Sequence, residues 1–262
     1  MKNNPIGIFD SGIGGTSIWK EVIKLLPNEN TIYLADSRNA PYGEKSSHEI
    51  ISLCIKNTEL LISKGCKLII VACNTATTNA IDHLRKNYNI SFIGIEPAIK
   101  PAALFSKTGA IGILATKGTL SSKLFEKTAN EYTKNITTIE QDGEGLVTLI
   151  EEGKLNSNEL NNLLRNYLTP MLNFNIDHLV LGCTHYPYLI PQIIEILGST
   201  VKIIDAGEAV AKQTKAILAV QELLSNSLEK SSHYLYSNTQ TKVLSEMLSD
   251  VSANFSVNKL DF

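Results

Sequence analysis

Apolar runs that never alternate with polar residues constrain this chain most. Leu68-Ile69-Ile70-Val71-Ala72 and Leu179-Val180-Leu181 carry an apolar side chain at every position, so both faces of each strand must be covered. Strand-like runs are expected over 6–10, 31–36, 68–73, 92–95, 111–115, 178–183 and 201–205, with amphipathic segments of helix length between most of them. Such alternation predicts an α/β fold of mostly parallel sheets with helices on their faces, linked by right-handed crossovers. Helix starts are signalled by Thr16 or Ser17 before 18–26, by Ser46-Ser47 before 48–62, and by Pro187 near the start of 188–197. A long helix follows Gly207, then a strand over 233–237, a helix around 243–248 and a short apolar run at 255–257.

Length favours two lobes, since the chain has 262 residues and 43% hydrophobic content against roughly 150 residues per domain. Glu96-Pro97 suits a crossing between them, because the residue before proline is pushed away from helix. A return crossing is expected near Asp205-Ala206-Gly207. The first lobe is then residues 1–97 with 208–262, and the second is 98–207.

The 24 basic and 26 acidic residues nearly cancel and form no Lys/Arg block, so composition gives no support for a nucleic-acid partner. Met1-Lys2-Asn3-Asn4-Pro5 opens no charged-then-apolar leader and no apolar stretch approaches a membrane span, so the expectation is a cytoplasmic protein with no membrane partner. Cys54, Cys66, Cys73 and Cys183 include no C-x-x-C pair, and the histidines are scattered. Neither a disulfide framework nor a metal site is expected.

Two of these cysteines stand out by context. Cys73 follows one buried run and precedes Asn74-Thr75; Cys183 follows another and precedes Thr184-His185-Tyr186-Pro187. Open α/β sheets bind ligands in a crevice outside the carboxyl ends of their strands. Two thiols facing one molecule from opposite sides would form an acid and base pair, able to take a proton from one face of a carbon and return one to the other. Helices expected at 75–88 and 188–197 would give both sulfurs the same dipole support.

Asp10-Ser11-Gly12-Ile13-Gly14-Gly15, after the first strand, is a glycine-rich turn whose N–H groups can approach an anion. As a dinucleotide fingerprint it is incomplete. Gly12-x-Gly14-x-x-Ser17 lacks the third glycine or alanine, although Asp36 sits roughly where a ribose-binding acid would. The turn therefore reads as better placed for a carboxylate than for a cofactor phosphate. Asp10 has two readings, a cap of the turn or a proton-transfer helper on the Cys73 side, with His185 as the helper for Cys183.

Gly7-Ile8-Phe9-Asp10-Ser11-Gly12-Ile13-Gly14-Gly15, Ala40-Pro41-Tyr42-Gly43, Ala72-Cys73-Asn74-Thr75-Ala76-Thr77 and Gly182-Cys183-Thr184-His185-Tyr186-Pro187 together resemble the signature blocks of the bacterial glutamate racemases, in the Asp/Glu racemase family. The resemblance spans nearly the whole chain in the right order. It implies two pseudo-symmetric α/β lobes with the site in the crevice between them, and usually a homodimer. The implied activity is cofactor-independent interconversion of L- and D-glutamate, supplying the D-isomer for peptidoglycan.

Cys73 and Cys183 would then be the two bases, with Asp10 and His185 as helpers that also meet the substrate. Ser11, Tyr42, Gly43, Asn74, Thr75 and Thr184 would contact the amino acid. Thr116 and Thr119, at the end of the fifth strand, are further candidates for its ammonium or carboxylate end. The family also implies an acid near His185. Glu151 and Glu152 both qualify, but on a helix they point about 100° apart, so only one can face the site; Glu151 is preferred and Glu152 stays open. A racemase for aspartate or another acidic amino acid, or a two-lobed amino-acid-binding protein with inert thiols, are the competing readings. Cys54, Cys66, His48, His83, His178, His233 and Trp19 read as packing or surface residues.

Overall fold

The computed structural model describes residues 2–227 and 229–262; Met1, where the leader reading begins, and Leu228 lie outside the described residues. The strands are β1 (Ile6–Asp10), β2 (Thr31–Ala35), β3 (Leu68–Val71), β4 (Ser91–Gly94), β5 (Ala110–Ala115), β6 (Thr137–Asp142), β7 (His178–Gly182), β8 (Lys202–Ile204), β9 (His233–Ser237) and β10 (Phe255–Lys259). Between them run α1 (Thr16–Leu25), α2 (Ser47–Ser63), α3 (Asn74–Asn87), α4 (Ile99–Phe105), α5 (Lys117–Leu120), α6 (Lys123–Tyr132), α7 (Leu146–Glu151), α8 (Asn158–Leu172), α9 (Ile190–Leu197), α10 (Gly207–Val220) and α11 (Lys242–Met247).

One sheet has the order β10-β9-β2-β1-β3-β4 and the other β6-β5-β7-β8, with every pairing parallel. The order β2-β1-β3-β4 of the first is repeated by β6-β5-β7-β8 in the second. β3 and β7 are therefore equivalent strands, and the turns after them carry Cys73 and Cys183. Register aligns the strand ends, pairing Asp10 with Ala35 and Phe9 with Val71 in one sheet, and Ala115 with Gly182 in the other.

The unbroken apolar runs are explained by coverage on both faces. Ile6, Ile8, Leu68 and Ile70 join one core cluster, while Phe9, Ile69 and Val71 join another on the opposite face. The first cluster also takes in Leu114, Leu179 and Leu181 of the second sheet, whose other face packs Ile111, Ile113 and Val180. A single apolar core thus runs between the lobes. α1 packs against α10, which lies next to the return crossing.

β6 is the strand that the apolar pattern does not signal. Thr137-Thr138-Ile139-Glu140-Gln141-Asp142 is an edge strand, exposed or half-buried throughout, so it needs no apolar run to be paired. β3 and β7 also stop earlier than expected, at Val71 and Gly182, leaving both cysteines in the connecting turns. Lys67 and Glu29 form a buried ion pair at 2.5 Å, and Glu29 accepts from Ser225 N–H at 2.7 Å. Lys67 donates to the Leu223 carbonyl at 2.8 Å and to the Lys2 carbonyl, so the pair ties the stretch after α10 to the first lobe.

His233 belongs to the core. Trp19 Nε1 donates to Thr31 Oγ1 at 2.8 Å, Thr31 Oγ1 lies 2.9 Å from His233 Nδ1, and the two rings meet edge to face at 5.6 Å. Burial pushes the imidazole down to about 4 from 6.5. The unfolded chain therefore takes up this proton first, and stability falls as the pH drops from 6.5 towards 4, then levels off for this group. Equilibrium denaturation across that range is expected to show the loss, and His233→Gln to remove this part of the acid dependence.

Candidate active site

The carboxyl ends of both sheets meet at a crevice, and the residues that close it come from turns just past the strands. Cys73, Asn74 and Thr75 follow β3, Gly182, Cys183, Thr184 and His185 lie at the end of β7, and Ser11 follows β1. All line one cavity, together with Pro41, Tyr42, Gly43, Thr116 and Val147. Its volume is about 10 Å³, room for roughly one water. A wider cleft of about 540 Å³ adjoins it and shares Pro41, Gly43, Thr116 and Val147 as lining residues. The lobes are shut over the thiols.

The two sulfurs are held differently. Cys73 caps α3, its Sγ accepting from Ala76 N–H at 3.4 Å and donating to Ser11 Oγ at 3.6 Å. Cys183 has no matching helix start. A 3-10 turn over Tyr186–Leu189 separates it from α9, and its Sγ meets His185 Nδ1 at 3.7 Å. Equal dipole support for both thiols is therefore not what forms: one sulfur has a helix N-terminus and the other an imidazole. Burial pushes the Cys73 thiol well above its usual range, with the Asp10 carboxylate adding to the rise and the Ala76 N–H and Ser11 hydroxyl opposing it. For His185, burial opposes the imidazolium, but bonds to Cys183 and Glu151 outweigh it and raise the ring well above its usual value.

His185 Nε2 lies 2.6 Å from Glu151 Oε1. Glu152 instead points outward and pairs with Lys154 at 2.7 Å. Cys183, His185 and Glu151 thus make a line along which a proton can pass. Gly14 N–H can donate to the same Nε2 at 3.2 Å when that nitrogen is unprotonated, and Glu151 accepts from it when it is protonated.

The glycine-rich turn finds its anions inside the protein. Asp10 Oδ2 accepts from Gly15 N–H at 2.8 Å and Gly12 N–H at 3.3 Å, while Ile13 N–H donates to Glu151 Oε1 at 2.6 Å. The expectation that these N–H groups face a ligand is corrected: they are occupied by the carboxylates of the site. Asp10 does cap the turn, and it also accepts from the Thr184 hydroxyl across the crevice at 3.3 Å. Burial pushes its carboxyl up to about 6, with His185 and the Gly15 N–H pulling the other way.

Three expected substrate contacts are set back from the cavity wall or turned from it. Asp10 and Thr119 are fully buried behind it. Tyr42 lines it, but its hydroxyl is engaged elsewhere, donating to Asp36 Oδ2 at 2.5 Å. Thr75, Thr116 and Thr119 form a ring of hydroxyls, at 2.8 Å, 3.0 Å and 3.3 Å, with Thr75 from one lobe and the others from its partner lobe. Asn74 is buried with neither its amide nitrogen nor its oxygen hydrogen-bonded within the protein. Pro41, Val147 and Gly182 were not expected at the wall; Pro41 stands beside Tyr42-Gly43 in the sequence, whereas nothing in an apolar helix marks Val147. Ser37, also unsuspected, donates to Glu151 Oε2 at 2.7 Å.

Gly14 is required by this docking. A Cβ there would fall 2.2 Å from His185 Nδ1, and one at Gly12 would fall 1.9 Å from Glu151 Oε1. Gly14→Ala is expected to lower unfolding free energy by about 1–3 kcal/mol, the range for overpacking a filled site, as read by chemical denaturation.

The sequence profile of the family described as Asp/Glu/Hydantoin racemase matches residues 14–214. A glutamate racemase of Herpetosiphon aurantiacus is 45% identical over 224 residues, covering 86% of this chain and 88% of that protein. Among solved structures, glutamate racemase from Francisella tularensis in complex with D-glutamate superposes with a TM-score of 0.84 at 30% identity, covering 100% of this chain and 99% of the other. That from Escherichia coli, in complex with L-glutamate and the activator UDP-MurNAc-ala, gives a TM-score of 0.85 at 29% identity, covering 98% of each. Strand order, paired strand-end cysteines and these likenesses agree, and the chain belongs to the Asp/Glu/Hydantoin racemase family, among its glutamate racemases.

Proposed function

We propose that this chain interconverts L- and D-glutamate by a two-base mechanism that needs no cofactor and supplies D-glutamate for peptidoglycan. One observation carries the reading: Cys73 and Cys183, at equivalent strand ends of two sheets, line a single cavity from opposite lobes. In each turnover one sulfur, as thiolate, takes the Cα proton. The Cα–H bond breaks, an S–H bond forms, and the electron pair left on carbon spreads into the substrate carboxylate. The opposite thiol then gives its proton to the other face. We assign the role of first base to Cys183, whose Sγ meets His185 Nδ1 at 3.7 Å and can pass a proton to it, and that of acid to Cys73, whose thiol form burial favours.

The unpartnered Asn74 amide supports a polar ligand in this cavity, since burying it unsatisfied is costly. Ser11, Thr75, Thr116 and Thr184 supply further hydroxyls at the wall, and Thr119 supports that ring from behind. Fixed dipoles of this kind can stabilise the charge that develops on the substrate carboxylate. The lobes we assign are residues 1–97 with 208–262, and 98–207. The reading includes a cytoplasmic homodimer, as the resemblance implies; no helix among the described residues is long and apolar enough to cross a membrane. Sedimentation measures the oligomer.

Purified protein without added cofactor is expected to form D-glutamate from L-glutamate, to leave L-aspartate unchanged, and to place solvent deuterium at Cα of the inverted product. Binding without exchange would falsify the enzyme reading in favour of a binding protein, and inversion of aspartate alone would reassign the substrate. Cys73→Ala and Cys183→Ala should each lower kcat/KM by about 10²–10⁴-fold, the usual scale for losing a general acid or base. A single-cysteine variant with full activity in both directions defeats the two-base assignment.

Asp10 generates a pH prediction. Its carboxyl, held up to about 6, is ionised above that pH and protonated below it. As the helper of Cys73 it can accept a proton only when ionised, so kcat/KM is expected to fall as the pH drops through 6. A profile flat down to pH 5, or one whose acid limb survives in Asp10→Asn, removes Asp10 from that role.

A further inference from the structure

Glu151 is an awkwardly placed carboxylate. It ends α7, where the peptide dipoles present their negative pole, and its side chain is 13% exposed. A charge there needs donors from elsewhere. Its backbone and side-chain hydroxyl donors come from the opposite lobe: Ile13 N–H reaches Oε1 at 2.6 Å, and Ser37 Oγ reaches Oε2 at 2.7 Å.

Ser37 is held on both sides. The residue before it, Asp36, donates its N–H to the Asp10 carbonyl at 3.1 Å and accepts from Asn238 Nδ2 at 2.5 Å. The residue after it, Arg38, donates its N–H to Asn238 Oδ1 at 2.8 Å. One asparagine just past β9 thus clamps the backbone around Ser37, and the β1–β2 register sets this clamp beside Asp10. A serine hydroxyl has one proton to give. Given to Oε2, it fixes the rotation of the carboxylate and leaves Oε1 for His185 Nε2.

We propose that Ser37 is a positioning residue that orients Glu151 towards His185 and so sets up Cys183, but not Cys73, for proton transfer. The proposal rests on the racemase reading. It predicts an effect on one half of the reaction. Enantiomers are equal in energy, so kcat/KM must be the same in both directions and must fall equally in any variant. Isotope effects are free of that constraint. If only the Cys183 transfer slows, the primary deuterium effect at Cα grows for the enantiomer whose Cα–H faces Cys183. For the other enantiomer it shrinks, because Cα–H cleavage by Cys73 is then no longer the slow step.

The experiment measures kcat/KM and the Cα-deuterium effect for both enantiomers in the full-length wild type, Ser37→Ala and Ser37→Thr. Ser37→Ala should lose about tenfold or more in kcat/KM, the scale of a hydrogen bond to a charged group, with isotope effects that diverge between enantiomers. Ser37→Thr, which keeps the hydroxyl, should recover to within about twofold of wild type. Activity of Ser37→Ala within about twofold of wild type overturns the proposal. So does a loss in which both isotope effects keep their wild-type values, as a smaller fraction of folded enzyme would give. Wild type that fails to racemise glutamate is a separate outcome, seen before any variant is made, and brings down the racemase reading together with this proposal.

Discussion

The structure depends on the docking of one lobe's acid groups onto the other lobe's backbone. Ile13 and Gly14 present N–H groups to Glu151 and His185, and the turn can do so only because no side chain stands at Gly12 or Gly14. A buried carboxylate and a buried imidazole are costly to hold separately. Each is stabilised here by the other and by donors reaching across the crevice. Cys183, His185 and Glu151 all come from the second lobe, and the N–H groups that steady Glu151 and His185 come from the first. Thr184, by donating to Asp10, makes the same crossing in the reverse direction.

Against this sits a symmetry of topology without a symmetry of chemistry. The repeated strand order puts the two cysteines at equivalent places, as a reaction between mirror-image molecules calls for. Their surroundings differ: Cys73 rests on a helix N-terminus beside Ser11, and Cys183 on an imidazole and a glutamate. The difference follows from the turns. Asn74 starts α3 at once after Cys73, whereas Thr184 and His185 intervene before the 3-10 turn that leads to α9. A transfer mechanism with one sulfur charged and one neutral is served by unequal settings, provided the two can exchange states during turnover.

Much of this was legible in the residues. Unbroken apolar runs marked the fully covered strands, and polar residues just past their ends marked the crevice, because parallel register gathers those ends at one edge. β6 was not legible, since an edge strand with no buried face leaves no apolar trace. The glycine turn was read for the right freedom but the wrong occupant: local sequence shows that backbone can be approached, not which distant side chain arrives. Glu151 and Glu152 could not be separated by spacing alone, as the choice depends on which face of α7 meets the other lobe. Ser37 carries a usable signal, a polar side chain two residues past a strand end, a position like those of Asn74 and Thr184.

The shut cavity has a kinetic meaning. A space for one water cannot admit an amino acid, so the crevice must widen first, and Gly43 and Thr116, which line both this space and the wider cleft, stand where it would do so. Solvent viscosity would then bear on turnover, since any widening of the crevice displaces water from its walls. Peroxide and alkylating reagents must use the same doorway, so the breathing that lets substrate in also sets how often the sulfurs are open to attack.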